Sequence, residues 1–111
     1  MTATRGRGAR NKGANAEREL ARILSELTGK EIRRGQVFNG EPDIVGLTGI
    51  HVEAKRQETL KITQWFEQAE TAAKKHRDGF PAVFFRRNGE HWKVVMDLKD
   101  WACLYRGWRR R

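Results

Sequence analysis

PDIVGLTGIHVEAK, residues 42–55, is the stretch on which the reading of this chain turns. An apolar run from Ile44 to Leu47 follows Asp43, Thr48-Gly49 marks a turn, and a second extended run carries His51, Glu53 and Lys55. Strand alternation places Ile50, Val52 and Ala54 on one face and His51, Glu53 and Lys55 on the other. Two carboxylates and a lysine at one sheet edge are what metal-assisted phosphodiester hydrolysis needs. The acids can hold a hard divalent cation, and the lysine can orient or help deprotonate the attacking water. Whether Asp43 joins the other two depends on the hairpin. A two-residue Thr48-Gly49 loop pairs Leu47 with Ile50 and turns Asp43 to the wrong face. A three-residue loop with Gly49 left-handed pairs Asp43 with Lys55 and Val45 with Glu53, and a bulge near Gly46 has the same effect.

Upstream, Leu20, Ile23, Leu24 and Leu27 recur at helical spacing, with Asn15 as N-cap and Gly29 as stop. Glu17 flanks the buried face of that helix, whereas Glu19 points further toward solvent. A strand over about Glu31 to Val37 and a turn at Asn39-Gly40 lead into strands at about Asp43 to Leu47 and Ile50 to Gln57. Downstream, Ile62, Trp65, Phe66, Ala69, Ala72 and Ala73 mark a second helix from about Thr63 to Lys75, ended by Gly79 and Pro81. The aromatic pair Trp65 and Phe66 on this stripe reads as core rather than as a base-stacking platform. Ala82 to Arg86 reads as a buried strand, and Asn88-Gly89 as a two-residue hairpin into Glu90 to Met96, with Phe85 facing Trp92 and Val83 facing Val94. A short helix from about Leu98 to Leu104 precedes the tail. Helix, three strands, helix, two strands predict an α/β fold, a mixed central sheet flanked by helices.

The chain has 111 residues, enough for a single core, with 38% hydrophobic and 33% charged residues. No apolar run approaches the roughly 18 residues of a membrane span, and the N-terminus lacks the apolar core of a signal peptide, so a cytoplasmic protein is expected. Lone Cys103 reads as a small core residue, and His51, His76 and His91 are too scattered to suggest histidine-based chemistry. Eight of the nine net positive charges lie at the two ends, on Arg5, Arg7, Arg10 and Lys12 and on Arg106, Arg109, Arg110 and Arg111. Basic ends on a nearly neutral body point to a polyanion such as nucleic acid. Neither end has the apolar face of a membrane-lying helix. The expected organisation is a flexible basic arm over residues 1–13, one domain over 14–105, and a basic tail over 106–111. Candidate DNA contacts are Arg5, Arg7, Arg10, Lys12, Arg33, Arg34 and Arg56.

Gly13-Ala14-Asn15-Ala16-Glu17-Arg18-Glu19, Pro42-Asp43-Ile44-Val45, Glu53-Ala54-Lys55 and Glu67-Gln68-Ala69-Glu70 together resemble the PD-(D/E)XK nuclease superfamily, and within it the archaeal-type Holliday junction resolvases. The resemblance covers roughly residues 12–96. It implies a restriction-endonuclease-like αβββαβ core and a Mg²⁺-dependent endodeoxyribonuclease in which Mn²⁺ substitutes. Asp43 and Glu53, with the Ala54 backbone carbonyl, would bind the metal, and Glu17 would support it directly or through water. Lys55 would serve the attacking water, and Gln68 would hold Lys55 or a water. Paired nicking of a four-way junction implies a C2 homodimer, for which Trp101, Leu104, Tyr105 and Trp108 could supply the contact. Left open are a same-fold nuclease acting on duplex, flap or nicked DNA in repair, restriction or phage DNA processing, and a non-enzymatic nucleic-acid-binding protein. A prokaryotic cell, phage-infected or not, is the implied setting.

Overall fold

Leucines and alanines three and four apart drive the first element. In the computed structural model, which describes the backbone of residues 2–110 and the side chains of residues 12–110, helix α1 spans Thr2–Thr28. Ala16, Leu20, Ala21 and Leu24 are buried along one stripe, while Leu27 at its end is exposed. Gly29 closes the helix, its N–H on the Ser25 carbonyl at 3.0 Å. The helix begins earlier than the sequence predicts. Asn15 is interior rather than an N-cap, its side-chain oxygen accepting from Arg18 at 3.0 Å. Helical backbone also continues through the segment expected to lack regular structure. Alanines and long basic side chains favour helix there and no proline interrupts it, which outweighs the glycines.

Strands β1 (Arg33–Arg34) and β2 (Ile44–Val45) pair antiparallel, Arg33 opposite Val45 and Arg34 opposite Ile44. A 3-10 turn at Val37–Asn39 and Gly40 form the tip between them. Strands β3 (Gly49–Arg56), β4 (Gly79–Arg86) and β5 (Lys93–Met96) make a separate sheet in that order, β3 parallel to β4 and β5 antiparallel to it. The expected ladder between β2 and β3 therefore does not form, and Asp43 is not paired with Lys55 nor Val45 with Glu53. The chain between them turns through positive-φ glycines, and β3 takes β4 as its partner along its whole length, from Gly49 opposite Gly79 to Arg56 opposite Arg86.

Helix α2 (Ile62–His76) makes the crossover between the parallel strands. It ends at Arg77, which adopts the left-handed conformation (φ 52°) with its N–H on the Ala73 carbonyl, not at Gly79 or Pro81. Those two residues open β4, ahead of the ladder with β5, which begins at Ala82. At that edge-like position a missing N–H is tolerated. The sheet is covered on both faces. Leu20, Ala21 and Leu24 of α1 pack with Val52, Ala82 and Phe84, and Trp65 and Ala69 of α2 pack with Val83 and Phe85. Trp65 is thus core, and each such large buried side chain contributes about 1.5–3 kcal/mol.

Asn88-Gly89 does turn the chain, but through a longer loop than predicted. Phe85 faces Lys93 and Val83 faces Val95, one residue out of the expected register. Trp92 consequently leaves the ladder and packs against the α1 core, its indole N–H donating to Glu19 at 2.8 Å. Helix α3 (Leu98–Arg109) is N-capped by Asp97, whose side chain accepts from the Lys99 N–H at 2.8 Å, and it runs on through most of the expected tail. No α3 side chain is buried, and Cys103 is exposed rather than in the core, because this helix does not pack into the sheet. Among the described residues no helix is long and apolar enough to cross a membrane.

Candidate active site

Asp43 reaches the edge of β3 through the pairing of β1 with β2. The Gly35 N–H donates to the Asp43 carbonyl at 2.7 Å, and a Cβ on Gly35 would collide with the Pro42 carbonyl oxygen. No side chain can therefore replace that hydrogen without moving the Pro42-Asp43 segment. Past Val45 the chain turns at Gly46 (φ 110°) and Gly49 (φ 90°) before entering β3. Gly46 and Gly49 both take positive φ, but neither the expected three-residue hairpin loop nor the expected bulge forms, because β2 and β3 do not pair and the glycines steer the chain away from a hairpin.

The result is an open cleft of about 670 Å³ lined by Glu17 of α1, Asp43, and Glu53, Ala54, Lys55 and Arg56 of β3, with Lys12 and Lys61 at its sides. Its electrostatics are those of crowded acids. Burial, then the Glu17 and Glu53 carboxylates, push Asp43 up to about 6, with Lys55 opposing. Glu53 goes the other way: burial works to raise it, but His51 and Lys55 hold it below the usual carboxylate range. Glu17 stands beside this pair with its carboxylate on the Arg34 guanidinium at 2.8 Å.

Among the described residues no three acidic, histidine or cysteine side chains are arranged to cage a metal by themselves. The donor set nevertheless fits a divalent cation. Two carboxylates close enough to disfavour joint ionisation, beside an open cleft, are relieved by a cation that keeps several water ligands, as Mg²⁺ does. Ala54 lines the same cleft, as does Glu17, whose carboxylate is paired with Arg34.

The other expected residues divide. Gln68 does not join the cleft: it is exposed on α2 and lines a different depression with Glu67, Thr71 and Lys75. The helical stripe turns it away, since Trp65, Ala69 and Ala73 face the sheet. Glu19 is not solvent-directed. It accepts from Arg86 at 2.9 and 3.0 Å and from Trp92, and Arg86 above all holds its carboxyl below the usual range. Arg33 pairs with Glu41 at 2.7 Å, and Arg56 donates to Asn88 at 3.1 Å. Lys12 reaches the cleft, while the Arg5, Arg7 and Arg10 side chains lie outside those described.

Sequence reasoning missed two residues here. Lys61, just ahead of α2, carries no signal beyond its charge. His51 is buried at 2% exposure, with Nδ1 within 3.0 and 2.9 Å of the two Asp78 oxygens and Nε2 3.8 Å from Glu53 Oε1. Burial would lower its pKa, but the Glu53 and Asp78 carboxylates outweigh burial and raise it. Alternation put His51 on the Glu53 face, but only the fold brings Asp78 to it.

An acid ahead of one short strand, Glu-x-Lys on the next, and a helix-borne glutamate at one cleft on a mixed sheet define a nuclease of the PD-(D/E)XK superfamily. The family model described as "Phage putative PDDEXK endonuclease" matches residues 8–111, and the chain belongs to that family. Among solved structures the fold is similar to that of Hjc from Archaeoglobus fulgidus, a Holliday junction resolvase from an archaeal hyperthermophile. The two are 24% identical with a TM-score of 0.56, over 77% of this chain and 72% of that one. No curated protein matches the sequence.

Proposed function

We propose that this chain is a divalent-metal-dependent endodeoxyribonuclease that nicks branched DNA, acting on four-way junctions as a C2 homodimer in the cytoplasm of a phage-infected prokaryotic cell. The observation that carries the chemistry is the convergence of Asp43, Glu53 and Lys55 on one cleft, where burial and then its acidic neighbours raise the Asp43 pKa to about 6. Asp43, Glu53 and the Ala54 carbonyl would hold Mg²⁺ or Mn²⁺. The cation would supply charge neutralisation at the scissile phosphate and a more acidic water. Lys55 orients that water and steadies the developing charge. Lys12, Arg56 and Lys61 along the cleft attract the phosphate backbone.

Branched DNA is favoured by the similarity of fold to a Holliday junction resolvase. A dimer is favoured by α3, where Leu98, Trp101, Leu104, Tyr105 and Trp108 are 44–76% exposed on one helix. Asp97 and Asp100 stand at its N-terminal end and Arg106 and Arg109 at its C-terminal end. Antiparallel pairing with a second copy about a twofold axis would oppose unlike charges as well as cover the apolar stripe. Cleavage of a four-way junction against matched linear, flap and nicked duplexes at equal salt tests the substrate, and sedimentation with and without junction DNA tests the dimer. Equal rates on junction and linear duplex, or a strict monomer on the junction, overturn the resolving role while leaving the nuclease. No metal-dependent cleavage of any substrate leaves a binding protein.

A further inference from the structure

Among the described residues His51 is the one buried polar side chain, and its packing serves no part of the chemistry above. The ring is fixed from three sides. Both Asp78 oxygens lie within hydrogen-bond reach of Nδ1, at 3.0 and 2.9 Å. The His76 ring of α2 stacks on it at 5.8 Å with planes 16° apart. The strand itself pins the backbone, with His51 opposite Pro81 in the β3–β4 ladder. Asp78 owes its place to the left-handed turn at Arg77 that ends α2. At the other end of the ring, Nε2 is buried and makes no hydrogen bond, and its polar neighbour is Glu53 Oε1 at 3.8 Å. That distance is beyond a hydrogen bond but short enough to steer a carboxylate.

Behind this contact lies a second cavity of about 220 Å³, separate from the main cleft, that Asp43, Glu53, His51 and His76 all line. Glu53 therefore stands as a wall between two spaces. Without a partner on the His51 side its carboxylate could swing into either, and an acid that must meet a cation in one cleft gains from being held toward it.

We propose that Asp78 and His51 form a positioning couple that aims Glu53 into the main cleft, with Asp78 fixing the imidazole and Nε2 facing one oxygen of Glu53 across 3.8 Å so that the other is presented to the metal. This rests on the metal-site reading of Asp43 and Glu53. The couple touches neither substrate nor metal, so its signature is metal affinity and geometry instead of fold.

The test is Mn²⁺ binding to the full chain without DNA, followed by calorimetry and by the Mn²⁺ paramagnetic resonance signal, with circular dichroism and urea unfolding as checks on the fold. The variants are chosen by which nitrogen they keep. H51N retains an amide near the Nδ1 position and can still reach Asp78 but not Glu53. H51Q places its amide near the Nε2 position and can reach Glu53. H51N should weaken Mn²⁺ about 10- to 100-fold, H51Q should restore most of that loss, and D78N, at a position with 27% of its side chain exposed, should weaken it about 10-fold. If H51N does not fold, D78N carries the same expectation. Folded H51N and D78N that bind Mn²⁺ as wild type does, while D43N does not bind, overturn the positioning couple alone. H51Q as weak as H51N overturns the role of Nε2. Wild type that binds no Mn²⁺, or D43N that binds it equally well, overturns the metal reading and this inference with it.

Discussion

Asp43→Asn should make the metal-free protein more stable while abolishing cleavage. In the fold the carboxyl is pushed from 3.8 up to about 6 by burial and by Glu17 and Glu53. A folded-state pKa above the unfolded one means the native state holds the proton more tightly. Stability from this group is then present in full below about pH 4 and is lost as pH rises through about 6. At 1.36 kcal/mol per unit that displacement sets an upper bound of about 3 kcal/mol, and because the carboxyl is partly open to water, screening cuts the destabilisation at neutral pH to about 1–2 kcal/mol. Asparagine removes the charge but leaves polar atoms in the cleft, so D43N should gain about 1–2 kcal/mol over wild type at pH 8 in EDTA, an advantage that fades as pH falls toward 4. Urea unfolding across this range measures it directly. Added Mn²⁺ should reverse the order, since a ligand at a hundred times its dissociation constant contributes about 2.7 kcal/mol to the form that binds it. D43N equal to or less stable than wild type at pH 8 in EDTA would refute the reasoning. In that case Asp43 would be a favourable ion-pair partner of Lys55 rather than an acid awaiting a cation.

Glu19→Ala leaves Arg86, with 11% of its side chain exposed, without its carboxylate and should cost about 2–3 kcal/mol in urea unfolding. Because the Glu19 pKa is lowered in the fold, its contribution is present above 4.5 and lost as pH falls through the folded value, so wild type and variant should converge in acid; an unchanged midpoint at pH 7 would show the cluster contributes nothing. Lys55→Ala should abolish metal-dependent cleavage with DNA affinity nearly intact, and cleavage at the wild-type rate would remove Lys55 from the chemistry. Gly35→Ala forces a methyl group into the Pro42 carbonyl and should destabilise by about 2 kcal/mol while weakening Mn²⁺ binding, whereas wild-type Mn²⁺ affinity would mean that Asp43 does not depend on this close approach. The double variant K12A/K61A should weaken DNA binding equally for all shapes and flatten the salt dependence by about 1.8 in log–log slope, which filter binding between low and moderate salt would detect.

Much of the fold follows from local pattern. The spacing of Leu20 and Leu24 and that of Trp65 and Ala69 each identify a face, and those faces are the ones buried, whereas in β3 both Val52 and its neighbour His51 are buried because the sheet is covered on both sides. What local pattern does not carry is pairing. Two short apolar runs joined at Thr48-Gly49 look like a hairpin, yet β3 gains a longer partner in β4 some thirty residues on, and β2 turns back to β1. Asn88-Gly89 located its turn but not the loop length, and a single residue decides whether Trp92 or Lys93 faces Phe85. At the site, Glu53 and Lys55 were legible because they are two apart on one strand. Gln68 was misplaced because the resemblance assigned it to the cleft, whereas the apolar stripe of α2 turns it outward. Cys103 was misjudged because a free cysteine is buried only if its helix is.

The ion pairs of the body explain why the functional charges are where they are. Arg34 is engaged by Glu17, Arg33 by Glu41, and Arg86 by Glu19, with Arg56 close by. Arg34 and Arg86 tie the β1–β2 arm and the sheet to α1, and the charge of Arg33, Arg34 and Arg86 is largely compensated within the fold, whereas Arg56, 3.7 Å from Glu19, also lines the cleft. Among the described residues at the cleft, Lys12, Lys55 and Lys61 form no ion pair within the chain. The division has a physical basis: a planar guanidinium holds a carboxylate through a fixed fork, while an ammonium on a flexible stem can follow a phosphate as the substrate moves. Under the proposed function the acids gain from being held from the far side, because the near side is where cation and DNA would enter. The buried imidazole at position 51, backed by Asp78, is the group that the fold places there.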